Sequence, residues 1–200
     1  NAVDQIDLPK NTKIDAVVHL SGENVAAGRW SKKIKQRIYE SRILSTRLLV
    51  ESLSSLDTPP LTFICASAVG IYGDRKDTIL FESTTEDPNA KGFLVSVAKD
   101  WEQEAQKYTQ NIANARVINA RIGIVLSPAG GALEKMLPVF KMGMGGPLGD
   151  GKQYMSWISL TDLVSAFSFC LDNTSAEGAF NFCSPNPMTN SEFTKALGNF

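Results

Sequence analysis

Ser67 and Tyr72, with Gly70 and Gly73 beside them, close the stretch LTFICASAVGIYG at residues 61–73. Its first half is a short apolar run bounded by Pro59-Pro60 and by glycines, the pattern of a strand buried on both faces. At Ser67 the character changes. A hydroxyl, a phenol and two turn-forming glycines arrive where a parallel strand gives way to its loop, the point at which open α/β sheets place their chemistry. A serine hydrolase does not fit, because the glycine-flanked nucleophile elbow is missing and the single histidine, His19, belongs to a different strand. The structural alternative for Ser67 is a turn or cap residue.

Other chemistry is narrowed by composition. With one histidine and three widely spaced cysteines, Cys65, Cys170 and Cys183, the chain carries no close Cys/His/carboxylate cluster of the kind zinc needs. The odd number of thiols, each among apolar neighbours, reads as buried cysteine in a reducing compartment, so a cytoplasmic protein is expected. A net charge of −1 argues against nucleic acid or an anionic membrane as the main partner. The apolar runs fall short of the roughly 20 residues that span a bilayer. Lys32, Lys33, Lys35, Arg37, Arg42 and Arg47 form a basic run that reads as a solvated helix face, with Arg29 or Arg42 reaching a phosphate as the functional alternative. Arg121 ends an apolar strand, where an unpaired charge is costly, so it requires a partner.

The elements that would position these groups alternate. Ile14–Leu20 reads as a buried strand, and Ser31 as the N-cap of a helix running to about Leu56. The strand at Leu61 follows, then a polar loop of about twenty residues, long enough to cover or line a site. A helix over Phe93–Tyr108, a strand over Val117–Leu126 and a helix over Leu133–Met142 come next. A glycine-rich loop, GMGGPLGDGKQ, precedes a strand-like piece at Tyr154–Ser159. A helix over Leu160–Leu171, a strand at Ala179–Cys183 and a helix from Asn190 complete the order βαβαβαβαβα. Near-continuous apolar strands alternating with helices imply an α/β fold, a doubly wound parallel sheet covered on both faces. Two hundred residues at 43% hydrophobic content suggest one globular unit, with 143–159 and 184–200 forming a small substrate-side lobe.

HLSGEN, ASAVGIYGD, KDWEQEA, ARIGIVLSPAGG, MGMGGPLGDGKQYMSWISLTDL and FNFCSPNPMTNSEF, taken in that order, resemble segments of the extended short-chain dehydrogenase/reductase superfamily. The likeness is to its NAD(P)-dependent epimerase/dehydratase-like members, in a branch of sugar-nucleotide epimerases of unassigned substrate. It covers essentially the whole chain. It implies a Rossmann-like fold, NAD or NADP as cofactor, a small-molecule substrate and a homodimer formed through the two long helices. By resemblance, Leu20, Gly22 and Glu23 belong to the turn that lets the cofactor's adenosine and ribose lie close to the sheet. Ser67 takes the place of the active-site serine, whose hydroxyl bonds a substrate oxygen or polarises a carbonyl. Lys99 takes the place of the lysine that grips the nicotinamide ribose; the bland alternative is a solvated helix lysine beside Asp100. Arg29, Trp30, Gln153, Trp157 and Asn181 fall in segments that line the substrate side, where arginine with indole suits an anionic group joined to a flat or sugar ring. The two tryptophans are equally readable as packing.

Two departures from that pattern bear on activity. The superfamily's proton-transferring tyrosine lies four residues before the lysine, and here that position is Val95. Tyr72 is the candidate stand-in. The glycine-rich turn that cradles a dinucleotide's pyrophosphate is also missing from the start of this sequence, so the first βαβ portion of the fold, about 55 to 65 residues, is expected to lie upstream. Without it, weak cofactor binding or none is expected. Two readings stay open: an NAD(P)-dependent oxidoreductase or epimerase acting on a carbonyl or sugar-nucleotide-like substrate, and a non-catalytic dinucleotide-binding or scaffolding protein.

Overall fold

The computed structural model describes residues 6, 8–26, 28–84 and 90–199. In chain order the elements are β1 (Ala16–His19), α1 (Lys32–Ser54), β2 (Thr62–Ala68), a 3-10 turn at Val69–Tyr72, α2 (Phe93–Asn111), β3 (Arg116–Ile122) and β4 (Ile124–Ser127). Then follow α3 (Gly131–Lys141), β5 (Tyr154–Met155), β6 (Trp157–Ser159), α4 (Leu160–Asp172), β7 (Gly178–Phe182), β8 (Met188–Thr189) and α5 (Asn190–Gly198).

The central sheet has the order β1-β2-β3-β7, and every pair in it is parallel. Side chains alternate between its faces. Phe63, Cys65 and Val117 pack against Ile43, Val50 and Leu53 of α1 and Trp101, Ala105 and Tyr108 of α2. Ile64, Ile118 and Ala120 join a second cluster with Leu163 and Cys170 of α4. Helices therefore cover both faces, and the doubly wound α/β arrangement implied by the sequence is the one observed. Burying Phe63, Ile64 and Ile118 completely is worth about 1.5–3 kcal/mol for each side chain, which is why this strand pattern tolerates so little polarity.

Local signals set the helix starts. Ser31 caps α1, its Oγ accepting from the Ile34 N–H at 3.3 Å. Thr189 and Glu192 form a reciprocal capping box at the start of α5.

Two segments differ from the sequence expectation. Val117–Leu126 is not one strand: it breaks at Gly123 into β3, in the central sheet, and β4, which pairs in parallel with β6 in a separate two-stranded sheet. Glycine is required at the break, because a Cβ at position 123 would lie 2.7 Å from the Ser156 carbonyl oxygen. There the Gly123 N–H donates to Phe182 O at 3.0 Å, while the Ile124 N–H donates to Ser156 O at 2.8 Å, so consecutive amides serve different sheets. Leu126 accordingly leaves the central sheet instead of ending a strand beside Ser67. Tyr154–Ser159 likewise divides into β5, antiparallel to β8, and β6. The simple βαβαβαβαβα order is thereby corrected by three short strands.

Candidate functional site

Near the carboxyl end of the sheet, three polar residues stand in one row. Ser67 on β2 is in register with Arg121 on β3, and Arg121 with Asn181 on β7. Lateral neighbours in a sheet point to the same face, here the face covered by α2. Glu102 of α2 closes on the row: Arg121 Nε donates to its Oε1 and Nη2 to its Oε2, both at 2.9 Å. This is the two-pronged geometry in which guanidinium and carboxylate bind most strongly. Ser67 Oγ donates to the same Glu102 Oε1 at 2.6 Å.

Tyr72, from the 3-10 turn, completes the network. Arg121 Nη1 donates to its hydroxyl at 2.9 Å, and that hydroxyl donates to Asn181 Oδ1 at 2.8 Å. The loop after Tyr72 returns over the row, with Glu82 Oε1 accepting from the Asn181 N–H at 2.8 Å. Ser67 is 4% exposed and Tyr72 2%, so these are interior hydroxyls at the edge of the core. Hydrogen bonding to Glu102 holds the Arg121 guanidinium above its usual range against the opposing effect of burial. The charge that the sequence said must be paired is paired inside the chain.

The turn after β1 is latched to α1. The Glu23 N–H donates to Ser41 Oγ at 2.8 Å, its carbonyl accepts from Arg42 Nη1 at 3.0 Å, and its carboxylate pairs with Arg37 at 2.8 Å. Gly22 lies against Arg42; a Cβ there would meet the guanidinium carbon at 2.8 Å. Its missing side chain therefore serves packing whatever else approaches the turn. Leu20 is exposed at the strand end. One residue earlier, His19 Nε2 is 2.9 Å from Thr46 Oγ1, which also accepts from Trp101 Nε1 at 2.9 Å. Burial pushes the His19 imidazole below its ordinary pKa.

On α2, Val95 is buried in the position of the superfamily tyrosine, with its Cγ2 about 4.0 Å from where a Cβ on Gly73 would stand. Lys99, half-buried, lies one turn before Glu102. Trp30 packs edge-on against Phe93 at 5.7 Å and donates to Val25 O at 2.8 Å, while Lys35 lies 5.4 Å from the Phe93 ring. Arg29 beside it is exposed. Gln153 and Trp157 lie in the region of β4, α3 and β5, away from the polar row. Gln153 Nε2 donates to Leu148 O at 3.0 Å, and the Trp157 indole N–H is buried with no acceptor among the described residues. The structure thus joins Ser67, Tyr72 and Asn181 in one network and sets Arg29, Trp30, Gln153 and Trp157 outside it.

A hollow of about 300 Å³ opens beyond β3, lined by Ile124, Leu126, Ala132, Met136, Leu148, Gln153, Tyr154, Met155 and Asn190. A second, of about 230 Å³, shares Leu126 as a wall and includes Trp157 and Phe193.

Comparison with known proteins decides the family. The model of the NAD dependent epimerase/dehydratase family matches residues 1–183. The chain belongs to that family. The epimerase family protein Mb2239 of Mycobacterium bovis is 46% identical over 187 residues, covering 94% of this chain and 60% of the relative. The crystal structure of human epimerase family protein SDR39U1 (isoform 2) with NADPH superposes with a TM-score of 0.87 at 28% identity, covering 94% of this chain and 63% of that one. A nucleoside-diphosphate sugar epimerase from Corynebacterium glutamicum gives a TM-score of 0.77 at 36% identity, covering 92% and 37%. The chain spans about three fifths of the length of the curated epimerase-family relatives it matches, 60% to 61% among the bacterial ones.

Within this epimerase/dehydratase chain, sequence reasoning missed Glu102 and Thr46, and offered Arg42 for a phosphate where its guanidinium is bonded to the Glu23 and Ile38 carbonyls. Glu102 had a signal: Arg121 demanded an acid, and Glu102 follows the buried Trp101 on the helix that must cover that strand. Thr46 had none beyond its place on the helix, since its partners are the His19 and Trp101 rings, distant in sequence.

Proposed function

We propose that this protein is part of an NAD(P)-dependent oxidoreductase or epimerase acting on a carbonyl or sugar-nucleotide-like substrate, with Ser67 as the hydroxyl that meets the reacting oxygen. The observation that carries the reading is the row Ser67–Arg121–Asn181, held by Glu102 and Tyr72 at the end of parallel strands in a chain of this family. The dinucleotide, when bound, supplies or accepts a hydride. On this reading Leu20, Gly22 and Glu23, in the turn after β1, and Lys99 on α2 would hold its ribose and nicotinamide side. NADPH accompanies the human relative, and the choice between the two dinucleotides stays open in this proposal.

Ser67 has a defined polarity in this geometry. Its only proton is committed to Glu102, so toward a ligand it offers lone pairs. It would accept from a substrate hydroxyl, the alcohol member of a carbonyl/alcohol pair. With Val95 in place of the tyrosine, Ser67 is the hydroxyl at the strand end, its proton held by the Glu102 carboxylate, while Tyr72 serves by holding Arg121 and Asn181. The protein would work in the cytoplasm.

Deuterium transfer from [4-²H]NADPH into a panel of ketones and nucleotide-sugar ketones, measured on the protein with the expected upstream βαβ segment present and followed by mass spectrometry, tests the reading. Ser67→Ala should slow transfer by about 5- to 150-fold, equivalent to one hydrogen bond of about 1–3 kcal/mol in the transition state. Unchanged transfer in that variant assigns Ser67 to structure. Buried Val95 supports the second reading, a non-catalytic dinucleotide-binding protein, and saturable NADPH binding with no transfer to any ketone would favour it.

A further inference from the structure

The hollow beyond β3 is chemically unlike a site for a charged nucleotide sugar. Of its nine lining residues seven are apolar or aromatic, and none is charged. Its two amide side chains are both engaged within the fold. Gln153 Nε2 is bonded to Leu148 O; Asn190 Oδ1 accepts from the Leu148 N–H at 2.7 Å, and Asn190 Nδ2 lies 3.3 Å from Met155 Sδ. A diphosphate placed there would lose its hydration with no cation in the lining to answer its charge, a large unfavourable term. An apolar body placed there would cover Leu148 and Tyr154, which are 63% and 50% exposed, and Ile124 at 38%.

Position links the hollow to the polar row. Ile124 follows Arg121 by three residues, and Arg121 is in register with Ser67. At about 3.3 Å per residue, the near wall begins on the order of 10 Å along the chain from the row. A small alcohol that donates its hydroxyl to Ser67 can therefore lay its body toward the hollow. The volume matches such a body: about 300 Å³ is roughly twice the ~150 Å³ apolar cavity that accepts benzene. Across the shared Leu126 wall, the buried Trp157 N–H has no acceptor among the described residues, and one uncharged ligand oxygen would satisfy it.

Building on the oxidoreductase reading, we infer that the hollow lined by Ile124, Leu126, Met136, Leu148 and Met155 holds the uncharged apolar body of the substrate, a ring or branched alkyl group bearing a carbonyl or alcohol. A nucleoside diphosphate is not its occupant.

Methyl-labelled methionine provides the test, because the five methionines divide by place: Met136 and Met155 line the hollow, Met188 the second one, and Met142 and Met144 are exposed outside both linings. The chain is titrated without cofactor, once with 4-tert-butylcyclohexanone and once with UDP-glucose, while methyl resonances are followed. Expected are saturable shifts of Met136 and Met155 with the ketone, with Met142 and Met144 unmoved and no response of the first pair to UDP-glucose. Ala132→Phe, at an exposed position that lines the hollow, should weaken the ketone at least tenfold. Saturable movement of Met136 and Met155 by UDP-glucose, ketone shifts that never saturate, or equal ketone affinity in Ala132→Phe would each overturn the inference. Since no hydride transfer is involved, failure here is separable from failure of the oxidoreductase reading.

Discussion

The polar row and the apolar hollow lie on either side of Gly123 and solve opposite problems. In the row every charge is answered: Arg121 and Glu102 have side chains only 10% and 12% exposed, and each bonds the other twice. In the hollow no lining residue is charged, and apolar side chains stand open to solvent. The row is rigid because four elements must agree on it, namely β2, β3, β7 and α2. The hollow is walled by short strands and loops, where a change of side chain alters shape before it alters stability. A single backbone break at Gly123, where the Ser156 carbonyl comes too close for any side chain, separates the two.

The sharpest way to break the comparison is to remove the charge at the centre of the row. Arg121→Met would leave the Glu102 carboxylate without its guanidinium and Tyr72 without its donor, a loss of about 3–5 kcal/mol in unfolding free energy. Urea denaturation should show a lower midpoint with little change in slope. Adding Glu102→Leu to that variant should recover a large part, because the stranded charge goes with it. A single variant as stable as the parent would mean that the pair is not formed in solution.

How far the sequence alone reached follows the same division. An apolar run such as FICA reveals itself because burial on both faces admits little else, and the presence of β2 and β3, though not where β3 ends, was legible. Ser31 as a cap was legible because its hydroxyl acts three residues away. What stayed hidden acts across long separations: Glu102 meets Ser67 across 35 residues and Arg121 across 19, and Tyr72 meets Asn181 across 109. Gly123 stayed hidden for a different reason. One glycine inside an apolar run looks like a weak strand position, and only the approach of Ser156 shows that it must turn.

Overpacking separates the two regions next. Val95→Tyr, the substitution that would restore the superfamily phenol, inserts a ring where valine is 7% exposed beside Gly73 and Gly92, and should cost about 1–3 kcal/mol. Ala132→Phe, adding a similar ring to the exposed wall of the hollow, should stay within about 0.5 kcal/mol. Comparable losses in thermal denaturation would show the hollow to be as tightly packed as the core under Gly73.

Acid should reach the row's neighbour before the hollow. His19 is the only histidine, and burial lowers its folded pKa below the ordinary 6.5. The unfolded chain then binds a proton that the folded chain refuses, so the stability due to neutral His19 is full above pH 6.5 and declines as pH falls toward the folded pKa. Melting temperature should drop from pH 7.5 to pH 5.5, and His19→Gln, which can still bond Thr46, should flatten that slope. An unchanged slope in the variant would move the effect to carboxylates.

The smallest effect is expected at Gln153, a residue that sequence reasoning placed on the substrate side. Its side-chain amide donates to Leu148 O, yet that carbonyl also accepts from the Gly151 N–H at 3.1 Å, and the Leu148 N–H is held by Asn190. Gln153→Ala removes one exposed bond from a loop that keeps two others, so about 0.5 kcal/mol or less is lost, a shift of roughly 1–2 °C in melting temperature. The same variant bares more of the apolar wall. Binding of 4-tert-butylcyclohexanone should therefore be preserved or slightly tightened, whereas a site that recognised its ligand through this amide would lose affinity severalfold. Stability and binding moving in opposite directions is the signature of a hollow shaped by apolar contact, and parallel losses in both would reassign Gln153 as a polar anchor.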